Sequence, residues 1–234
     1  MRAAVIIFPG SNCDTDLIHV LSEVMHLEVH KIWHQNESLE DVDFVALPGG
    51  FSYGDYLRSG AIARFSPIMN AVLEHAAAGK PVLGICNGFQ ILTECGLLPG
   101  ALLRNNHLQF RCQDVTVRVE HNDSGFTSLY KKHQVLKLPI AHAEGNYFVP
   151  DTVLRELERD KRILFRYCDS SGERSTAANP NGALDDIAGV LNAAGNVLGM
   201  MPHPERLSED ILGGSDGRWL FESIVHTWKE RMSL

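Results

Sequence analysis

A cysteine between two glycines is the part of the sequence with the clearest chemical potential. Cys86 lies in the pentapeptide Gly-Ile-Cys-Asn-Gly at positions 84–88, directly after the apolar run 82–85 and before helix-forming residues. This order predicts a strand, a sharp turn and a helix, which lifts the thiol clear of the sheet. The start of the helix favours a thiolate and offers free N–H groups to an oxyanion. The pentapeptide predicts a nucleophile, although a buried structural cysteine would fit it equally well.

A histidine and a glutamate far downstream could supply a base and its orienting acid. His203 and Glu205 are separated by Pro204. A residue before proline is disfavoured in a helix, so an extended segment is predicted, with both side chains on one side. Cys86, His203 and Glu205 would then form a catalytic triad in that chain order. Alone, the tripeptide fits a solvated turn better; together with the cysteine, the catalytic interpretation is favoured.

Two glycines after a predicted strand could complete such a site. Gly49 and Gly50 follow the run 43–47, so their backbone is expected at the carboxyl edge of the sheet, where open α/β sheets bind ligands. The N–H groups of Gly50 and Asn87 could form an oxyanion hole. A flexible turn is the alternative interpretation of the glycine pair.

His142 and Glu144 are a further candidate pair, either as metal ligands or as a second acid and base, or as an ordinary polar strand end. The remaining histidines have no H-E-x-x-H or similar spacing, so the sequence predicts no metal site. There is no Walker A motif either, because Gly79-Lys80 lacks the upstream glycine that the motif requires.

The elements that must position these groups alternate between strands and helices, which predicts an open, mostly parallel twisted sheet with helices on both faces. In this first half, strands are predicted at 3–8, 28–34, 43–47 and 82–85, and helices at 14–26 and 67–78. The second half predicts a small antiparallel part, with strands within 102–121 and at 135–142, 163–168, 187–192 and 197–201, helices at 151–160 and 216–232, and a loop at 170–186. No repeat or linker is evident, so residues 1–234 are predicted to form a single domain.

Composition narrows the class of protein. The formal net charge of −8 argues against a general nucleic-acid or membrane-surface binder. The five cysteines include no C-x-x-C pair, which is typical of free thiols in a reducing compartment. The apolar run in residues 1–8 is too short for a secretory signal or a membrane span. These features predict a cytoplasmic protein.

Three of these motifs together resemble the class I, or triad, glutamine amidotransferases. They are GICNGFQ at 84–90, PGGF at 48–51 and HPE at 203–205. Four longer stretches resemble those members of the family that serve purine biosynthesis: FPGSNCD at 8–14, GGFSYGDYLRSGAIA at 49–63, NPNG at 179–182 and GMMPHPER at 199–206. The resemblance extends from about residue 3 to the end of the chain. One departure is Ala143, where relatives more often carry glycine; a positive φ there would disturb the local geometry.

The resemblance implies a flavodoxin-like sheet and a glutaminase in which Cys86 attacks the side-chain amide of glutamine to form a glutamyl thioester. His203 would transfer the proton, Glu205 would hold the ring, and Gly49, Phe51 and Gln90 would bind the substrate. No cofactor is implied for this chain. ATP and Mg²⁺ would be used by a synthase partner, assisted by a small third subunit, that converts formylglycinamide ribonucleotide to formylglycinamidine ribonucleotide with the released ammonia.

Two other classes share parts of this pattern. An α/β-hydrolase or cysteine peptidase-like enzyme could use the same turn, but in α/β-hydrolases the acid precedes the histidine, whereas here it follows. A non-catalytic binding or chaperone relative of the same fold would keep the cysteine without the His203-Pro204-Glu205 segment.

Overall fold

A nine-stranded mixed sheet organises the protein, whose computed structural model describes residues 1–233. In chain order its strands are β1 (Arg2–Ile7), β2 (Glu28–Trp33), β3 (Phe44–Leu47), β4 (Val82–Ile85), β6 (Arg111–Val119), β7 (Val135–His142), β9 (Ile163–Cys168), β10 (Ile187–Leu191) and β11 (Val197–Met200). A separate two-stranded sheet pairs β5 (Ala101–Leu103) with β8 (Asn146–Phe148). The strand order in the large sheet is β2-β1-β3-β4-β11-β10-β9-β6-β7.

The parallel and antiparallel parts meet at β11. Strands β2, β1, β3, β4 and β11 all pair in parallel, whereas the pairs from β11 through β10, β9 and β6 to β7 are antiparallel. The predicted α/β class, with a mostly parallel sheet and a small antiparallel part, is confirmed. The predicted hairpin is also present, since β10 pairs with β11 from Gly189–Met200 to Leu191–Leu198.

Five α-helices connect and cover the strands in the described part of the chain: α1 (Asp14–His19), α2 (Ile68–Ala77), α3 (Asn87–Glu94), α4 (Asp151–Arg159) and α5 (Arg218–Met232). The first is shorter than the predicted helix at 14–26, because residues Val20–Val24 continue it as a π-helical turn. No helix within residues 1–233 is both long and apolar enough to cross a bilayer.

The sheet order places four loops side by side. Parallel strands expose their carboxyl ends at the same edge, and β1, β3, β4 and β11 are consecutive neighbours. All four residues of β3, β4 and β11 are buried, which explains why these strands are continuous apolar runs rather than alternating ones. Their buried backbones form a rigid base for the loops that follow them.

Candidate active site

Cys86 lies at the sharp turn between β4 and α3, as predicted. Its backbone has φ 51° and ψ −104°, an unusual conformation for a residue with a side chain, and its N–H donates to the carbonyl oxygen of Met200 at 2.8 Å. Gly88 is required here because a Cβ would collide with the carbonyl oxygen of Leu47. The strand and the helix can therefore pack closely while the turn holds the thiol at the edge of the sheet.

His203 and Glu205 form the predicted pair, but not in the predicted conformation. The ring Nδ1 of His203 is 2.6 Å from Oε1 of Glu205, and both side chains are buried. The backbone is not extended: residues Pro204–Leu207 form a 3-10 turn, with His203 directly before it at φ −102° and ψ 89°. The fixed φ of proline suits the first position of a helical turn as well as an extended segment, and here the turn forms. The prediction of the pair was right and the prediction of an extended segment was wrong.

Gly49 brings the three loops into contact. A Cβ on Gly49 would lie 2.7 Å from Cε1 of His203, 3.0 Å from Sγ of Cys13 and 3.4 Å from Cβ of Cys86. Only a residue without a side chain allows the imidazole to pack this closely against the loop after β3. Gly49 therefore contributes to the site by the space that it leaves, and its proposed contact with substrate stays a prediction.

The electrostatic environment of His203 suits a base that carries a positive charge during reaction. Burial alone would lower the pKa of His203, but the Glu205 carboxylate and the neighbouring Cys86 thiol outweigh burial and hold that pKa well above its ordinary value. Among residues 1–233, Nε2 of His203 is buried without a hydrogen-bond partner, although the thiols of Cys86 and Cys13 are near the ring. The nitrogen opposite Glu205 is therefore free to exchange a proton with Cys86.

The loop after β3 presents an N–H group beside the cysteine. Gly50 has φ +148°, and its N–H donates to no acceptor in the described part of the chain. The N–H of Asn87 begins helix α3 and so has no partner within the helix. The side-chain carbonyl of Asn87 accepts the N–H of Ser52 at 3.1 Å, which ties this loop to the cysteine turn. Both predicted oxyanion donors thus belong to one connected unit.

A cavity of about 220 Å³ opens onto the thiol. Four of its lining residues, Gly50, Phe51, Cys86 and Gln90, were predicted as site residues, and two more, His142 and Glu144, are the further candidate pair. The remaining ones are Asp55, Ser59, Arg104, Ala141 and Ala143. The side chain of Gln90, which lines the cavity, donates to the carbonyl oxygen of Glu144 at 2.6 Å and accepts from the side-chain amide of Asn87 at 2.9 Å.

Charged groups of both signs face this cavity. Glu144 Oε2 accepts the N–H of Ser59 at 3.2 Å, and Oε1 is 3.7 Å from Nε of Arg104. Burial raises the pKa of Asp55 to about 6, with a smaller contribution from the negative charge of Glu144. Carboxylates and a guanidinium in one small cavity are suited to a ligand that carries an ammonium and a carboxylate. Sequence reasoning missed Asp55, Ser59 and Arg104 because they lie in polar loops without periodicity.

His142 supports the wall of the cavity rather than forming a second acid–base pair with Glu144. Its Nδ1 is 3.1 Å from Oδ1 of Asn105 and its Nε2 is 3.5 Å from Nδ2 of Asn181, while Gly145 packs against the ring. Burial lowers the pKa of His142 to about 3, so the ring is neutral. The neighbouring Ala143 does not have a positive φ, so alanine disturbs nothing there.

Comparisons with known proteins agree with this geometry. Residues 1–218 match the CobB/CobQ-like glutamine amidotransferase domain. The chain is 56% identical over 229 residues to phosphoribosylformylglycinamidine synthase subunit PurQ of Moorella thermoacetica, covering 98% of this chain and 97% of that one.

Solved structures give the same picture. A chain in the structure of PurLQS from Thermotoga maritima superposes with a TM-score of 0.86 at 43% identity, covering 97% of this chain and 98% of that one. The glutaminase domain of Trypanosoma brucei CTPS with bound acivicin shares the fold, with a TM-score of 0.58 at 14% identity over 97% of this chain and 94% of that one.

Proposed function

The chain belongs to the CobB/CobQ-like glutamine amidotransferases, and on that premise we propose that it is the glutaminase subunit of phosphoribosylformylglycinamidine synthase. The observation that carries the proposal is the buried His203–Glu205 pair beside the Cys86 turn, in a chain that is 56% identical to a PurQ subunit. In this role it hydrolyses glutamine and supplies ammonia for purine biosynthesis.

The chemical steps follow from the positions of the side chains. His203 accepts the proton of the Cys86 thiol, and the thiolate attacks the side-chain amide carbon of glutamine. The N–H groups of Gly50 and Asn87 stabilise the negative oxygen of the tetrahedral intermediate. The intermediate collapses to a glutamyl thioester as His203 gives its proton to departing ammonia. His203 then takes a proton from water, which attacks the thioester and releases glutamate. Glu205 holds the ring in the orientation that both steps need.

The cavity accounts for the choice of glutamine. We assign the ammonium group of the substrate to the carboxylates of Asp55 and Glu144, and its carboxylate to Arg104, because these charges face one small space. Phe51 and Gln90 line the same cavity as the thiol of Cys86. The side-chain amide of the substrate is then directed toward Cys86.

Ammonia must leave this site without entering bulk water, where it would be protonated and lose its nucleophilicity. The function therefore needs a partner that receives it directly. That partner is the synthase subunit, working with a small accessory subunit. ATP use belongs to the complex, and we assign ATP and Mg²⁺ to the synthase subunit.

The test measures glutaminase activity of the chain alone and after reconstitution with the synthase and accessory subunits. We expect little activity alone and strong activity in the complex. A glutamine analogue that alkylates thiols should label Cys86, and glutamine should protect it. Cys86→Ser should lose both labelling and turnover, whereas Cys95→Ser, which changes a thiol that contacts the carbonyl oxygen of Leu92, should keep both. Labelling at another cysteine, or full activity without partners, would contradict the proposal.

A further inference from the structure

A second cysteine lies against the base of the triad. Cys13, in the loop after β1, is buried, and its N–H donates to the carbonyl oxygen of Gly49 at 3.2 Å. A sulfur of Cys13, a ring nitrogen of His203 and a carboxylate oxygen of Glu205 all lie within 4.8 Å of one another. Neither the mechanism nor the comparisons give this thiol a role.

Two buried polar atoms of this cluster have no partner. Nε2 of His203 and Oε2 of Glu205 are both enclosed, and neither has a hydrogen-bond partner among the described residues. Burying such atoms without a partner is costly, so each marks a position where a ligand would be stabilised. Proton exchange with Cys86 explains the free ring nitrogen, but it does not explain the free carboxylate oxygen.

We propose that Cys13, His203 and Glu205 form a binding site for a thiophilic divalent cation such as Zn²⁺, and that its occupation inhibits the enzyme. Thiolate, imidazole and carboxylate are the three donor types that zinc uses in proteins. The thiolate and the carboxylate together balance the two charges of the cation. Binding requires Cys13 to release its thiol proton and the metal-bound nitrogen of His203 to be free of a proton, so zinc competes with protons for the site.

The distances allow such a site with small movements. Ligand atoms about 2.0–2.3 Å from zinc lie about 3.4–3.8 Å from one another in a tetrahedral arrangement. The three donor atoms are within 4.8 Å of one another, and Nδ1 of His203 and Oε1 of Glu205, now hydrogen-bonded at 2.6 Å, would have to separate by about 1 Å to bind the metal instead. Arg206 lies beside it, with Nη2 3.1 Å from Sγ of Cys13 and Nε 3.0 Å from Oδ2 of Asp16. Asn12 also contacts the sulfur, through Oδ1 at 3.0 Å.

Inhibition follows because the cation takes the lone pair that His203 needs. A metal-bound imidazole cannot accept the proton of Cys86, so the nucleophile is not activated even though its sulfur is untouched. No sequence motif indicates this site, since its ligands lie at positions 13, 203 and 205 and match no metal motif. Cys13 meets His203 and Glu205 only because the loops after β1 and β11 lie at the same edge of the sheet.

Zinc binding is tested directly by titrating the full chain with Zn²⁺ in competition with a chromophoric chelator. We expect one tight site per chain. Cys13→Ser should weaken it at least about tenfold, since losing even an outer-shell partner costs 10–100-fold in metal affinity. Cys112→Ser, which removes an exposed thiol, is the matched control and should leave the affinity unchanged. Glu205→Gln gives a second test of the site that does not depend on the fold tolerating a change at Cys13.

The prediction that zinc inhibits the enzyme rests on the proposed function, whereas the prediction that zinc binds does not. In the reconstituted complex, Zn²⁺ should inhibit glutaminase activity reversibly, with recovery on adding EDTA. In the Cys13→Ser complex, the Zn²⁺ concentration that halves the rate, relative to the zinc-free rate of the same variant, should be at least about ten times higher. Unchanged affinity in both Cys13→Ser and Glu205→Gln, or loss of binding in Cys112→Ser, would overturn the site. Tight zinc binding by the chain, together with no glutaminase activity in the reconstituted zinc-free complex, would instead count against the proposed function alone.

Discussion

Replacing Gly49 with alanine should disable the base while leaving the fold intact. Gly49 does not have a positive φ, so alanine adds no backbone strain. Its Cβ, however, would lie 2.7 Å from Cε1 of His203. Carbon atoms in contact are normally about 3.5–4.0 Å apart, so the ring must retreat by about 1 Å. A displacement of about 1 Å typically costs about 10²-fold in rate, so we expect kcat to fall by about that factor with little change in KM.

The assay is steady-state glutamate production by the reconstituted complex, with unfolding followed separately by urea denaturation. Overpacking should cost about 1–3 kcal/mol of unfolding free energy, which a folded domain can absorb. Gly125→Ala is the matched control, because its Cβ would press at 3.1 Å on Thr227 in α5, away from the triad. A folded, assembled Gly49→Ala enzyme whose kcat stayed within about threefold of the parent would refute the argument.

Three further predictions concern the oxyanion donor Gly50, the buried imidazole of His142 and the exposed side chain of Leu57. Gly50→Ala places a Cβ 2.8 Å from backbone atoms of the loop after β1 at a positive φ, so the donor should move and kcat in the complex should fall about 10²–10³-fold; an unchanged kcat would exclude Gly50 as a donor. The pKa of His142 is lowered to about 3 in the native state, whereas in the unfolded state it has its ordinary value near 6.5. Between these two values only the unfolded state binds a proton at this residue, so the free energy of unfolding falls as the pH drops from about 6.5 to about 3. Urea denaturation at about pH 6 and about pH 4 should show a slope shallower by about 1.4 kcal/mol per pH unit in His142→Gln, and equal slopes would contradict the buried neutral ring. Leu57 is 90% exposed in the loop that contributes Asp55 and Ser59 to the cavity, so Leu57→Asp should weaken activation by the synthase subunit. Ile211→Asp, equally exposed but in a segment that contributes nothing to the cavity, should not; equal effects would exclude a specific contact.

The sequence was sufficient to predict the strand–turn–helix at Cys86 because the signals for all three elements lie within one short stretch of the chain. The short apolar run of β4 is bounded by proline and glycine, which favours a buried strand, and the helix signal begins at once after it. The pairing of His203 with Glu205 was likewise visible from their spacing. Their backbone conformation was not, because proline is compatible with both an extended segment and a helical turn.

The cavity wall and the place of Cys13 depend on contacts between distant segments. Cys13 reaches His203 because β1 and β11 end at the same edge of the sheet, and no local pattern specifies that strand order. Arg104 lies after the short strand β5, which sequence reasoning did not separate from the longer stretch 102–121. The positions of Cys13 and Arg104 relative to the site depend on the order of the strands in the sheets, and the periodicity within one segment does not reveal that order. That residues 1–234 form a single domain stays a prediction.

One loop connects the oxyanion donor to the surface. It begins at Gly50, contributes Asp55 to the cavity wall and carries Leu57 into solvent. Three of its non-glycine residues, Tyr53, Asp55 and Leu57, have positive φ angles, each costing of order 1–3 kcal/mol unless neighbouring contacts compensate. The hydroxyl of Tyr53 anchors the start of the loop at 2.8 Å from Nδ1 of His34, whereas Leu57 is exposed and makes no hydrogen bond to the described part of the chain. A partner that covers Leu57 would therefore stabilise this strained conformation and, through the same short segment, the N–H group of Gly50. This coupling is the physical reason to expect that ammonia is released only when the synthase subunit is bound.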